Sequence, residues 1–225
     1  MKISMVTGVW KRPDVFEMFA KGVHNLGIEI DVIVSGSEGE QSRKMVEAHG
    51  FHYIEIANQP LAKKMNATTL KAKELGADYV ICMGSDDIMS PELLKHFQIA
   101  MSAGYDYIGI TDLYFYDTVS KKAAYWGGYR DRYRRGVCAG PCRAISKKLM
   151  NTWGWQPWRV GDDAMLDNSM ERQPKGRQKI FNLKRLGCYA LDIKSSTNMT
   201  PFELWDNTSY IDSSIIKANF PYIFE

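Results

Sequence analysis

Two adjacent carboxylates, Asp86 and Asp87, end the apolar run in "DYVICMGSDDIMSPELL", residues 78–94. Side by side they repel each other and resist burial, so some positive charge must make the arrangement worthwhile. Carboxylate, hydroxyl and water oxygens are hard ligands suited to Mg²⁺ or Mn²⁺. Such ions are commonly held by one or two carboxylates plus substrate phosphates. A second acid pair, Asp162–Asp163, stands in "GDDAMLDNSM". Acids in a helix's first turn complement its dipole, and either pair suits that bland role. What favours chemistry for the first pair is its place in the fold.

That place follows from the elements around it. "KISMVTGV", "IEIDVIVSG", "FHYIEIAN" and "DYVICMG" read as strands. Between them "RPDVFEMFAKGVHNLG", "GEQSRKMVEAHG" and "PLAKKMNATTLKAKELG" read as helices, each closed by a glycine. "SPELLKHFQIAMSAG" opens a fourth helix, with Ser90 as N-cap and Pro91 at its first position. Strands alternating with helices predict an α/β fold, a Rossmann-like mostly parallel sheet flanked by helices. Such sheets bind ligands at the carboxyl ends of their strands, where Asp86 and Asp87 fall. The second half predicts a small mixed β and irregular part: strands in "DYIGITDLYFYDT" and "KAAYWGGY" around a turn near Ser120, a strand and helix in "VCAGPCRAISKKLMNTWG", a helix start at "GDDAMLDNSMERQ" and two strands in "KIFNLKRLGCYALDIKS". The tail from Asn198 yields no prediction. We expect one domain over 1–225, with 1–112 as the nucleotide side and 113–225 as the acceptor side.

Three segments resemble the family 2 glycosyltransferases of the GT-A fold. "ISMVTGVWKRP" is similar to their opening "vSiVtPvYNRp", agreeing at Thr7, Val9, Arg12 and Pro13. "AKKMNATTLKAKELGADYVICMGSDD" is similar to their "arNxgixxAxGeyixfLDaDD", agreeing at Asn66, Asp78, Tyr79, Asp86 and Asp87. "GDDAMLDNSM" looks like their "EDxxl" motif. The resemblance implies a nucleoside-diphosphate sugar lying along the strand ends, contacted by Thr7, Val9, Arg12, Ser35, Asn66, Ser85 and Asp86. It implies Mn²⁺ or Mg²⁺ on Asp87, with Asp86 beside it. It implies Asp163 as the base that deprotonates an acceptor hydroxyl, with Asp162 in the place of the motif's Glu, and inversion at the anomeric carbon. Uridine is the family's commonest base, so a UDP-sugar is the expected donor.

Two positions depart from the pattern. The family's "DDGS", which holds the nucleobase, is "VSGS" here, leaving Ser35, Ser37 and Glu38 as replacements. The leading Asp of the metal triplet is Gly84.

On the acceptor side, "YWGGYRDRYRRG" packs four arginines among aromatic residues. Arginine binds phosphate bidentately and aromatic rings stack on bases or sugars. Trp126, Arg130 and Arg134 are therefore candidates for an acceptor or a phosphate, against the plain reading of a solvated basic loop. Gly140 in "CAGPCRA" and Trp158 in "WGWQPW" join them, although at least one of Trp153, Trp155 and Trp158 is expected in the core. Lys194 with the following "SSTN" reads as a surface turn more readily than as a phosphate contact.

A net charge of +3 permits phosphate contact without announcing a nucleic-acid binder. The four cysteines are too few for a disulfide scaffold, and Cys138 and Cys142 lack the further ligands of a zinc site. No signal peptide or membrane span is read, so the cytoplasm is expected, with no membrane partner. The acceptor is expected to be a glycan or DNA, the latter by analogy with bacteriophage enzymes that glycosylate hydroxymethylated pyrimidines. A nucleotidyltransferase lacks support because "TGVWKRP" has no Gly-rich phosphate loop. A catalytically silent nucleotide- or glycan-binding module is the other alternative.

Overall fold

The structure, a computed structural model, describes residues 1–158, 176–196 and 207–225. In chain order the elements are β1 (Ile3–Gly8), α1 (Pro13–His24), β2 (Asp31–Gly36), α2 (Glu40–Glu47), β3 (His52–Glu55), α3 (Leu61–Glu74), β4 (Tyr79–Cys82), β5 (Asp87–Met89) and α4 (Pro91–Ser102). They continue with β6 (Tyr107–Ile110), β7 (Leu113–Asp117), β8 (Ala123–Trp126), β9 (Arg143–Ser146), α5 (Lys147–Thr152), β10 (Gln178–Phe181), α6 (Leu183–Leu186), β11 (Ala190–Lys194), β12 (Thr208–Ile211) and α7 (Ser213–Asn219).

The main sheet has the order β10-β6-β9-β4-β1-β2-β3. Its pairs are parallel except where β9 inserts antiparallel between β4 and β6. Both faces are covered, so its strands alternate between two apolar layers rather than between core and water. Met5, Val32, Val34 and Ile81 face the layer that holds α1 and α4. Val6, Ile33, Val80 and Cys82 face α3, α5 and two tryptophans, Trp155 and Trp158. Phe16 and Phe19 of α1 are fully buried, each stabilising by about 1.5–3 kcal/mol relative to exposure.

The local signals act as expected at α4. Ser90 accepts from the Leu93 amide through its side chain, and Pro91 supplies the first helical position. Gly27 and Gly76, which close α1 and α3, have φ of +69° and +80°, where a Cβ is disfavoured.

A second sheet has the order β12-β8-β7-β11-β5. Here the structure departs from the sequence reading. The run read as one strand, "DYIGITDLYFYDT", is two: β6 belongs to the main sheet and β7 to the second. Asp112 makes the corner. Its Oδ1 accepts from the Leu183 amide at 2.8 Å and from Thr111 Oγ1 at 3.0 Å, and its Oδ2 from Tyr125 Oη at 2.9 Å and the Lys184 amide at 3.0 Å. The carboxylate thus caps α6, an element the sequence did not announce. β5, β12 and α7 were likewise not anticipated. The two halves of the chain interleave, since β9 and β10 join the main sheet while β5 joins the second.

Candidate active site

β4 ends at Cys82, and the chain turns through Gly84 and Ser85 to the acid pair. Asp87 is 7% exposed, and its Oδ2 accepts from the Gly84 amide at 2.6 Å. The turn explains why Gly84 stands where the family places an acid. A Cβ on residue 84 would meet Asp87 Oδ2 at 2.5 Å and Asp86 Oδ1 at 2.6 Å, because both carboxylates fold back over it. Gly84→Asp is therefore expected to displace both carboxylates and to lower the melting temperature by at least about 2–4 °C, equivalent to ~1 kcal/mol. Calorimetric melts check this. An unchanged or higher melting temperature would overturn the steric argument.

The positive charge the pair requires comes from two side chains. Arg12, from the loop after β1, donates to Asp86 Oδ2 at 2.6 Å and to Ser85 Oγ at 3.1 Å. The second cation arrives through β5. That strand pairs antiparallel with β11, placing Asp192 directly opposite Asp87. Lys194 Nζ then meets Asp192 Oδ2 at 2.6 Å. Lys194 is 7% exposed, so the surface turn expected there is corrected: β11 carries it into the interior. The Asp86 carbonyl accepts from the Ile193 amide at 2.7 Å, which locks the acid turn to β11.

The electrostatics follow from this packing. Burial pushes the Asp87 carboxyl well above the usual range, and the charges of Asp192 and Asp86 push it further. Burial raises Asp192 to about 7, even though Lys194 opposes the rise. Asp192 Oδ1 is buried without a hydrogen-bond partner. Three carboxylates are thus gathered against two cations, with one acceptor atom left over.

At the ends of β1 and β2 the predicted contacts lie together, but several are occupied internally. Ser35 Oγ donates to the Thr7 carbonyl at 3.3 Å, and the Val9 amide donates to the Ser35 carbonyl at 2.8 Å. Thr7, Val9 and Ser35 are all fully buried. The Val9 carbonyl accepts from Lys64 Nζ at 2.8 Å, and Asn58 Oδ1 accepts from the same ammonium at 3.1 Å. Lys64 is 1% exposed, and burial pulls its pKa below the ordinary lysine value while Glu38 and Glu55 oppose that. Glu38 does not stand free as a base-reading acid. It accepts from the Lys11 amide at 2.9 Å and from Ser42 Oγ at 3.3 Å, and so holds a loop in which Lys11 has φ +50°. Ser37 Oγ is buried there without a partner.

Asn66 is engaged with the backbone of a tryptophan. Its amide closes on the Trp158 backbone, donating to the carbonyl at 2.7 Å and accepting from the amide at 3.1 Å. It anchors Trp158 to α3. Trp158 and Trp126, expected as acceptor platforms, are core residues at 3% and 1% exposure. Large indoles are driven inward where an apolar layer has room for them. Gly140 is exposed, and a Cβ there would meet only the Arg143 guanidinium at 3.9 Å, so a ligand can approach its backbone. Arg130 is exposed, and Arg134 packs its guanidinium 3.7 Å from the Tyr129 ring. Asp162 and Asp163 lie outside the described residues.

Sequence reasoning missed Asp192, Lys64 and the buried Arg143, and it misplaced Lys194. Lys64 carried a usable signal, since it falls three residues after Leu61 and four before Thr68, on the apolar face of α3. Asp192 and Lys194 carried none, because only strand pairing brings them to Asp87. Among the described residues no three His, Cys, Asp or Glu side chains form a ready-made metal cage, and all four cysteines are buried thiols.

No family model and no curated protein matches the sequence. Solved structures do match the fold. TarS residues 1–349 from S. aureus in complex with UDP superposes with a TM-score of 0.61 at 12% identity, covering 86% of this chain. This chain spans 60% of that structure's length. A protein from Desulfovibrio desulfuricans G20, named as a nucleotide-diphospho-sugar transferase by inference, gives 0.52 at 14% identity and covers 100% of this chain and 98% of its own. Rv0371c from Mycobacterium tuberculosis H37Rv in complex with manganese gives 0.52 at 11%, covering 81% and 88%. The chain therefore shares with these structures a GT-A-like α/β fold, a mostly parallel sheet flanked by helices.

Proposed function

We propose that this chain transfers a glycosyl group from a nucleoside-diphosphate sugar to an acceptor hydroxyl. The observation that carries this reading is the gathering of Asp86, Asp87 and Asp192 with Arg12 and Lys194 at the carboxyl end of β4. Its support in the neighbours is that TarS has been seen with UDP, HddC from Yersinia pseudotuberculosis with GMP-PN and Rv0371c with manganese.

The donor set fits a hard divalent cation. It consists of carboxylate oxygens with an excess of negative charge and one unpartnered buried oxygen on Asp192. With no three-residue cage among the described residues, Asp87 and Asp86 would hold Mn²⁺ or Mg²⁺ together with diphosphate oxygens. When bound, the metal supplies Lewis-acid neutralisation of the charge that develops on the leaving diphosphate. Arg12 and Lys194 hold the carboxylates in place and add fixed positive charge beside the phosphates. Ser37 offers a hydroxyl to the ribose or base. Asp163 takes the proton of the acceptor hydroxyl as that oxygen bonds to the anomeric carbon. The bond from that carbon to the phosphate oxygen breaks, the diphosphate leaves with its electron pair, and configuration inverts. In this reading residues 1–225 form one catalytic unit. Residues 113–225 provide the acceptor side and also lend Asp192 and Lys194 to the donor side. No helix of the described residues is long and apolar enough to cross a membrane.

The test is a thermal-shift panel of UDP, GDP and their sugars with and without Mn²⁺. A ligand at about a hundredfold excess over Kd stabilises by roughly 2.7 kcal/mol. For a chain of this length that is a rise of roughly 5–10 °C. A metal-dependent shift with one base names the donor class. No shift with any nucleotide would sink the reading and favour a module with another ligand.

A further inference from the structure

Eight residues, Tyr129–Gly136, carry four arginines against one aspartate, a net +3 that equals the net charge of the whole chain. They lie in the loop that leaves β8 at Trp126 and enters β9 at Arg143. Arg143 pairs across from Cys82, so the loop ends at the strand edge where the acid turn begins.

The loop is built, not loose. Gly128 has φ +88°, and a Cβ there would meet the Thr111 carbonyl at 2.5 Å, so the root of the loop packs backbone to backbone on the β6–β7 corner. Asn207 Nδ2 donates to the Gly128 carbonyl at 3.0 Å, and the Ala139 amide to the Ile110 carbonyl at 2.8 Å. The loop's one acid is turned onto its own backbone: Asp131 Oδ1 accepts from the Tyr133 amide at 2.9 Å and the Arg134 amide at 2.8 Å. No ion pair with a described residue engages Arg130, Arg132 or Arg135, all of them exposed. Tyr133 is 81% exposed, the most exposed of the large apolar and aromatic side chains among the described residues. Lys184 extends the positive surface, its ammonium 5.2 Å from the Tyr125 ring at the base of the loop.

Repeated guanidinium groups match phosphates spaced along a chain, and a projecting aromatic ring matches a partner with flat faces. Acidic polypeptides offer spaced charge without flat faces, and acidic polysaccharides offer sugar faces that lack the π-system of a base. We propose that the loop Tyr129–Gly136 binds a nucleic-acid strand, with Arg130, Arg132 and Arg135 on its phosphates and Tyr133 stacked on a base. That this strand is the acceptor rests on the glycosyl-transfer reading above; the binding does not.

The test is fluorescence anisotropy of a labelled single-stranded oligonucleotide of about 20 nucleotides across a salt series, without donor or metal. Three phosphate contacts give a slope of log K against log salt of about −2. The triple variant R130A/R132A/R135A is expected to flatten that slope and lower affinity at least about tenfold at low salt. Tyr133→Ala is expected to weaken binding severalfold with the slope unchanged, because stacking releases no counterions. Melting curves with and without UDP and Mn²⁺ are run on the same variants, so a loss of fold or of the donor site is read separately. Wild-type affinity in the triple variant overturns the proposal. So does equal competition by polyglutamate or heparin at matched charge, or an unchanged Tyr133→Ala, since each leaves only unselective charge attraction.

Discussion

Asp87→Asn is expected to abolish the metal-dependent nucleotide binding proposed above while raising the melting temperature of the ligand-free protein. The two effects share one cause. Burial first, and then the charges of Asp192 and Asp86, hold the Asp87 carboxyl well above the usual range. An amide keeps the acceptor that the Gly84 amide needs and removes a charge that Lys194 and the Gly84 amide offset only in part. Loss of an electrostatic element of this kind costs about 10²–10³ in rate. Relief of the repulsion stabilises on the order of 1 kcal/mol at neutral pH, or about 2–4 °C. The pH dependence has a definite sign. Both folded-state values lie above the ordinary carboxylate value, Asp192 at about 7, so their contribution to stability is complete below about pH 4 and is lost as pH rises through about 7. The ligand-free wild type should therefore melt lower as pH is raised from about 5 to 8, with a shallower dependence in Asp87→Asn. Asp106 acts outside this window. Its carboxyl is held below the usual range by the Arg177 amide and Ser146, so its contribution is lost only as pH falls below about 4. Calorimetric melts and Mn²⁺–nucleotide titrations check both parts. A variant that melts lower at neutral pH, or that keeps the Mn²⁺-dependent shift, would refute the assignment.

The largest expected loss of stability is at Asp112, far from any proposed chemistry. Asp112→Ala leaves the Leu183 and Lys184 amides and Tyr125 Oη without their acceptor at a fully buried corner. Each orphaned buried donor costs about 1–3 kcal/mol, so the sum is about 3–5 kcal/mol and a melting point lower by about 10 °C or more. Asp112→Asn should recover only part of this, because its NH₂ faces donors. Tyr125→Phe removes one contact of the set and should cost about 1 kcal/mol. Urea titrations on the three variants should reproduce that order. A drop of only a degree or two in Asp112→Ala would mean that the corner is held by the apolar packing of Leu113 and Leu183 instead.

The parallel sheet was legible because each of its early strands and helices announces itself within a dozen residues. Pro13 and Ser90 mark helix starts, glycines mark helix ends, and apolar spacing changes from two to between three and four. The acid turn was legible for the same reason, since its position at a strand end follows from the strand before it. Trp126 and Trp158 were misread because an aromatic side chain serves a core and a binding face equally well, and only packing decides. Lys64 was missed because lysine is so seldom buried that its type outweighed its spacing.

By itself the sequence determined the alternation of β1 to α4, the strand end that carries Asp86 and Asp87, the glycine beneath them and the run of arginines in "YRDRYRRG". These are local properties, set by side-chain period, capping and turn chemistry. The tertiary structure alone decided which charges meet the acids. Asp192 and Lys194 lie more than a hundred residues from Asp87 in sequence, and the antiparallel pairing of β5 with β11 brings them to it. No local period encodes a strand's partner. That choice is made by which apolar faces can be buried together, and here it places two further charged groups beside a pair that already repels.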